Sequence, residues 1–203
     1  MNMEQHISPN LPPKKQQIIA TAAGLFQRFG IRRVSVEEIC QKASVSKMTF
    51  YKYFKNKNEL VKYLWNNWFD EALIKFDDIR RRQIPFTEKL LLMLKLKEES
   101  VKNLSYELAL DYFNAVPEMR DFFEGLTRKS INRFLDFIRE AQQKGEVRAE
   151  MRPKFFLAFL DKIKELVNDR ELVESYPSYK DFVMEINNFM FYGILPRPGS
   201  KEK

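Results

Sequence analysis

Residues 35–54 read SVEEICQKASVSKMTFYKYF and hold two short helical patterns separated by a tight turn. Ser35 and Glu38 form a Ser-x-x-Glu capping signature, which predicts that a helix begins at this point. Ser46 is a second N-cap residue, and it opens another short helix that ends near Phe54. Two short helices joined in this way are typical of a helix-turn-helix, whose second helix can enter the major groove of DNA.

Positive charge is concentrated in the part of the chain that contains this motif. The 203 residues carry a net charge of +7, and residues 1–60 hold ten basic and four acidic side chains, hence +6 of that surplus. The rest of the chain is almost neutral. This distribution favours a basic module that contacts a polyanion, joined to a body with another task. The alternative is an ordinary solvated surface on a helical bundle.

The sequence predicts an all-α chain of about nine helices, because apolar residues recur at helical spacing and no period-two strand pattern is present. We expect a flexible tail at 1–12, a three-helix DNA-binding domain at 13–56 and a larger helical domain at 57–203. No apolar stretch has the length of a membrane span, and the first residues do not resemble a secretion signal. These features predict a cytoplasmic protein.

Several classes of active site are excluded by composition. The chain has one cysteine, Cys40, and one histidine, His6. A disulfide framework, a cysteine-rich zinc site and a His-based catalytic dyad are therefore not expected. The sequence also contains no Gly-rich phosphate loop and no nucleophile elbow. We expect no metal and no cofactor, and we predict that the chain is not an enzyme.

The stretch from Ile18 to Leu60 closely resembles the DNA-binding domain of the TetR family of transcriptional repressors. The resemblance lies in AAGLF at 22–26, FG at 29–30, VSVEEI at 34–39, ASVSKMTFYKYF at 43–54 and KNEL at 57–60. One departure is Ser44, because the family usually has glycine in this turn. A positive φ at this position would strain a serine, so we expect a slightly strained or adjusted turn.

The resemblance implies a set of DNA contacts on three helices. The implied residues are Lys47, Met48, Thr49, Tyr51 and Tyr53 of the recognition helix, Lys57 at the start of the fourth helix, and Ser35, Val36 and Glu37 at the start of the preceding helix. Lys47 and Met48 would face base edges, whereas the hydroxyl groups would bond phosphates. Lys57 would clamp a phosphate at a helix N-terminus.

A single helix-turn-helix of this size reads little sequence, so we expect a homodimer on a palindromic operator. The resemblance implies a four-helix dimer bundle made from the last two helices. The residues expected at the interface are Phe155, Phe156, Phe159, Ile163, Phe182, Ile186, Phe189 and Met190. Residues 155–160 are apolar on all sides, and such a helix cannot be half solvated. The alternative is one helix buried entirely inside a monomer.

The central helices are rich in aromatic residues, and the family uses this region as a cavity for a small effector. The candidate effector residues are Trp65, Trp68, Phe69, Tyr106, Tyr112 and Phe113. Such a lining would suit a mainly hydrophobic ligand, although an ordinary aromatic core is the alternative. The sequence thus predicts a repressor that leaves its operator when it binds an effector. The other possibility is a DNA-bound protein without a ligand whose body recruits another protein.

Overall fold

Helices make up most of the chain that the computed structural model describes. It describes residues 10–150 and 152–192, apart from the side chains of 153, 156, 191 and 192. These ranges contain ten helices and no strand, which confirms the predicted all-α class. The tail predicted at 1–12 lies, except for its last three residues, outside the described part of the chain.

The helices begin after the two N-cap residues that the sequence predicts, Ser35 and Ser46, and at eight further positions. In chain order they are α1 Pro13–Phe29, α2 Val36–Lys42, α3 Lys47–Tyr53, α4 Lys57–Arg81, α5 Phe86–Val101, α6 Tyr106–Phe113, α7 Pro117–Gln143, α8 Pro153–Asn168, α9 Arg170–Glu174 and α10 Tyr179–Tyr192. The five-residue α9 was not predicted. Asp169 caps it by accepting the amide of Leu172 at 3.0 Å.

Side-chain caps determine where the short helices begin. Ser35 Oγ and Ser46 Oγ each accept a hydrogen bond from the backbone amide three residues further on, with an N–O distance of 3.1 Å. Asn56 Oδ1 does the same at the start of α4, at 2.9 Å. The first turn of a helix leaves its amides without helical partners, and these oxygens replace them. Polar residues visible in the sequence therefore fix the starts of α2, α3 and α4.

The chain divides into two compact units. Unit 1 comprises Met1–Ile74 and Glu99–Leu126, and its core joins α1, α2 and α3 to the first half of α4 and to α6. Ile18, Phe26 and Phe50 are completely buried in this core. The helix-turn-helix is thus supported by a shared core. The predicted domain bounds at 56 and 57 stay a prediction.

Unit 2 comprises Lys75–Glu98 and Thr127–Lys203. Its core is formed by the end of α4 together with α5 and α7, and it contains Phe86 stacked on Phe137 at 5.0 Å between ring centroids. Among the residues that the structure describes, no helix has the length and apolar character needed to cross a membrane.

Candidate nucleic-acid interface

The turn between α2 and α3 closes with the hydrogen bonds of a Schellman motif. The Val45 amide donates to the Cys40 carbonyl at 3.0 Å, and the Ser44 amide donates to the Gln41 carbonyl at 3.2 Å. Ser44 has a φ of 53° and is the one non-glycine residue with positive φ in the described ranges. Glycine is usual here because a side chain strains this conformation. The turn expected at Ser44 forms, and the φ of Ser44 lies in the left-handed region that a side chain disfavours.

Helix α3 presents a mixed polar and apolar surface to solvent. Phe50 is buried, whereas Met48 is 85% exposed and Tyr51 is 53% exposed. Lys47 is also exposed on this helix, while Thr49 and Tyr53 are both half-buried. This surface carries the ammonium group of Lys47, the thioether of Met48, and the hydroxyl groups of Thr49, Tyr51 and Tyr53. Such groups can contact phosphates and base edges. Of the contacts predicted on α3, Lys47, Met48 and Tyr51 are thus exposed, whereas Tyr53 packs against the core.

The start of α2 meets the start of α3 through an ion pair. Lys47 Nζ donates to the Glu37 carboxylate, and both side chains are exposed. This bond is the main cause of a lowered pKa of Glu37 and of a raised pKa of Lys47. Both groups are therefore charged near neutral pH. Ser35 and Val36, the other contacts predicted at the start of α2, are an exposed N-cap and a half-buried side chain.

Lys57 holds the segment between α1 and α2 from the side of α4. Its Nζ donates to the carbonyls of Ile31 at 2.8 Å and Val34 at 2.9 Å. Burial lowers the pKa of Lys57, and the nearby Asp111 charge opposes this shift. An ammonium has three donors, so one N–H remains for a DNA phosphate. The phosphate clamp at Lys57 stays a prediction.

Asp111 of α6 holds the same segment from the other side. Asp111 Oδ2 accepts the amides of Ile31 at 2.6 Å and Arg32 at 2.9 Å, and Oδ1 lies 3.1 Å from Arg32 Nε. Gly30 has a φ of 79°, and a Cβ on it would come within 2.7 Å of Asp111 Oδ2. Sequence reasoning missed Asp111. The available signal was a carboxylate three residues after Leu108, on the buried face of an apolar helix.

Five of the six predicted effector residues form one aromatic cluster in unit 1. With Phe123 they are Trp65, Trp68, Phe69, Tyr112 and Phe113. The ring centroids of Phe123 and Tyr112 are 4.9 Å apart, and those of Phe123 and Trp65 are 5.5 Å apart. Tyr106, the sixth residue, is half-buried on α6. The cluster joins α4, α6 and α7 within unit 1.

Two polar groups in this aromatic cluster have unmet hydrogen-bonding capacity. The indole N–H groups of Trp65 and Trp68 are buried and have no acceptor in the described part of the chain. Trp65 as a whole is only 1% exposed. Buried indoles usually find an acceptor. These two donors are therefore available to a water molecule or to a ligand.

The residues predicted at a dimer interface differ widely in exposure. Phe155 of α8 is 70% exposed and Phe189 of α10 is 72% exposed, which excludes an α8 buried entirely inside a monomer. Phe159, Ile163, Ile186 and Met190 are half-buried. Phe182 is buried within its own chain and packs on Tyr176 with ring centroids 5.5 Å apart. The side chain of Phe156 lies outside the described part.

Comparisons with known proteins agree with this geometry. A family model described as bacterial regulatory proteins, tetR family, matches residues 18–64. The dhaKLM operon transcriptional activator DhaS of Lactococcus lactis is 35% identical over 86 residues, which are 42% of this chain and 44% of that protein. This chain therefore spans less than half of that relative's length. The fatty acid metabolism regulator protein of Bacillus subtilis is 25% identical over 140 residues, 67% of this chain and 72% of that protein.

The fold extends the likeness beyond the N-terminal region. The regulatory protein TetR of Rhodobacter sphaeroides has a TM-score of 0.71 at 22% identity, and the match covers 91% of this chain and 100% of that one. The matching family and both relatives are regulators and not enzymes, as the sequence predicts for this chain. Residues 18–64 therefore match the N-terminal domain of the tetR family of bacterial regulatory proteins, and the fold of the chain is similar to that of a solved TetR regulator.

Proposed function

We propose that the chain is a DNA-binding transcriptional regulator that reads an operator with α3. The observation that carries this function is the exposed face of α3, where Lys47, Met48 and Tyr51 stand clear of the core. The helix belongs to a module that carries +6 of the net charge. Positive charge supplies affinity for phosphates, and side chains at the start of the recognition helix supply base selectivity.

The regulator binds its operator as a homodimer, and the operator is a palindrome. Phe155 and Phe189 support this view, because exposed phenylalanines on neighbouring helices favour burial against a partner. The rings of Phe159 and Phe189, on α8 and α10, are 6.1 Å apart between centroids, so an apolar surface runs across both helices. Two-fold symmetry would then present two copies of α3 to two half-sites.

A small, mainly hydrophobic effector binds in the aromatic cluster and releases the protein from DNA. The unpartnered indole donors of Trp65 and Trp68 favour an effector that also carries a hydrogen-bond acceptor, such as a carbonyl or carboxylate. The name of the Bacillus subtilis relative, a fatty acid metabolism regulator protein, agrees with an apolar ligand class.

We propose repression as the direction of control. The Lactococcus lactis relative is named as an activator, so the direction needs its own measurement, transcription of the adjacent genes with and without the protein. Because the partner is chromosomal DNA, this function also implies that the chain works in the cytoplasm.

The test is a selection of bound duplexes from a random pool with the purified full chain. We expect enrichment of a palindrome whose affinity falls as salt rises. A pool that stays random after repeated selection would contradict the proposed function. Operator binding that no apolar ligand alters would favour the alternative, in which the body recruits another protein.

A further inference from the structure

Three cationic side chains surround one aromatic ring at the end of α1. The guanidinium carbons of Arg33 and Arg28 lie 4.4 Å and 5.0 Å from the ring centroid of Phe29, and Lys42 Nζ lies 5.8 Å from it. All three side chains are exposed. We call Arg28, Arg33 and Lys42 the Phe29 cation cluster. None of them is among the DNA contacts predicted above.

The charges of the Phe29 cation cluster are poorly balanced. Glu38 Oε1 lies 3.7 Å from Lys42 Nζ, within α2. Neither Arg28 nor Arg33 forms an ion pair with a described residue. Three like charges around one ring repel each other, and the ring face offsets only part of this repulsion. An anionic partner would remove the remaining cost.

The chemistry of the cluster favours phosphate as that anion. A guanidinium that stacks on a ring keeps its N–H groups free at the edge, where they can form paired bonds to phosphate oxygens. Side chains that stack on a ring are also partly ordered before they bind, which lowers the entropy cost of the contact.

Continuity with the proposed DNA surface favours the duplex backbone over an acidic protein. Arg33 lies two residues before Ser35, the N-cap of α2, and the first residues of α2 are predicted to lie near the DNA backbone. Lys42 is in the last turn of the same helix. The Phe29 cation cluster therefore lies beside α2, from the residues that precede its first turn, which holds Glu37 and Glu38, to Lys42 in its last turn.

We propose that the Phe29 cation cluster is a second phosphate-binding surface, which holds DNA backbone outside the bases that α3 reads. This inference rests on the proposed DNA-binding function. Contacts to phosphates add affinity and fix register but carry no sequence information. The cluster therefore raises affinity for every duplex equally, provided that the duplex is long enough to reach it.

The experiment compares full-length wild type with the triple variant Arg28→Gln, Arg33→Gln and Lys42→Gln. A control variant removes the same amount of charge at exposed lysines outside the basic module: Lys95→Gln, Lys102→Gln and Lys144→Gln. Affinities are measured by fluorescence anisotropy over about 50–200 mM salt. The probes are the selected operator, the same operator trimmed at both ends, and a random duplex as long as the untrimmed operator.

The slope of log K against log salt is negative, and we expect its magnitude in the triple variant to be smaller by about 0.9 for each phosphate that the variant no longer binds. The ratio of operator to random affinity should stay constant. Trimming should weaken wild type and leave the triple variant almost unchanged. The charge-preserving variant Arg33→Lys should keep the wild-type slope, which separates removal of charge from misfolding.

Two results would overturn the inference, and they differ in what else they overturn. If the triple variant and the control variant have the same slope, the Phe29 cation cluster does not bind DNA, and the proposed function stands. If wild type itself shows no salt-sensitive binding to any duplex, the inference and the proposed function fail together.

Discussion

At the scale of single residues, the segment that connects α1 to α2 is held from two sides. Lys57 donates to the carbonyls of Ile31 and Val34, whereas Asp111 accepts the amides of Ile31 and Arg32. The backbone groups of an irregular segment near the core thus find partners on α4 and α6, and an unpaired group would be costly. This arrangement fixes α2 relative to the rest of unit 1.

The role of Asp111 can be tested by stability. Asp111→Ala leaves the buried Ile31 amide without an acceptor, so we expect the free energy of unfolding to fall by about 1.5–3 kcal/mol. Urea unfolding followed by circular dichroism measures this change. The control Glu124→Ala removes an exposed carboxylate from α7 and should change stability by less than about 0.5 kcal/mol. Equal effects of the two variants would show that the Asp111 bonds contribute nothing.

The strained turn gives a second residue-scale prediction. Ser44→Gly removes the side chain at a φ of 53° and should raise the free energy of unfolding by about 0.5–1 kcal/mol, even after the extra entropy of glycine in the unfolded chain. Ser44→Val should lower it, because a β-branched residue tolerates positive φ poorly. Thermal unfolding of wild type, Ser44→Gly and Ser44→Val measures the order of their stabilities. If valine is as stable as serine, the turn is not strained.

At the scale of helices, local sequence predicts starts well and distant contacts poorly. Ser35, Ser46 and Asn56 each act within three residues, so their capping roles were visible in the sequence. Asp111 acts on a segment about 80 positions earlier in the chain, and no local pattern records such a contact. The resemblance to the TetR family supplied Lys57 as a phosphate contact, but its bonds to two carbonyls depend on the folded path of the α1–α2 segment.

The aromatic cluster offers a prediction at the same scale. The chain has two tryptophans, Trp65 and Trp68, and both are α4 residues of this cluster. Binding of an apolar effector there should shift or quench intrinsic tryptophan emission, and Trp68→Phe should weaken the binding by removing one indole donor. Calorimetry on wild type and Trp68→Phe checks the affinity independently of fluorescence. A ligand that releases DNA without any change in emission would lie elsewhere.

At the scale of the whole molecule, charge and apolar surface are divided between two tasks. Residues 1–60, which contain α1, α2 and α3, hold +6 of the net charge of +7, whereas the exposed phenylalanines Phe155 and Phe189 belong to α8 and α10. The sequence anticipated this division from charge alone. It could not say which apolar residues stay exposed, since the burial of Phe182 within its own chain depends on packing against Tyr176.

The proposed dimer can be tested directly. Phe155→Asp with Phe189→Asp inserts two charges into the proposed interface, so we expect the double variant to be monomeric in analytical ultracentrifugation. Its circular dichroism should match wild type, because both side chains are exposed in the single chain. The control Leu91→Asp alters an exposed apolar residue on α5 and should stay dimeric. A dimeric double variant would exclude this interface.

The central claim is that α3 reads bases, and Lys47 tests it most directly. The measurement is the affinity of wild type and Lys47→Ala for the selected operator and for each single-base substitution of it. We predict that Lys47→Ala loses about 1–3 kcal/mol of discrimination at one symmetry-related pair of positions and keeps it elsewhere. An equal loss of affinity on every duplex would contradict this account, because it would make Lys47 a phosphate contact only.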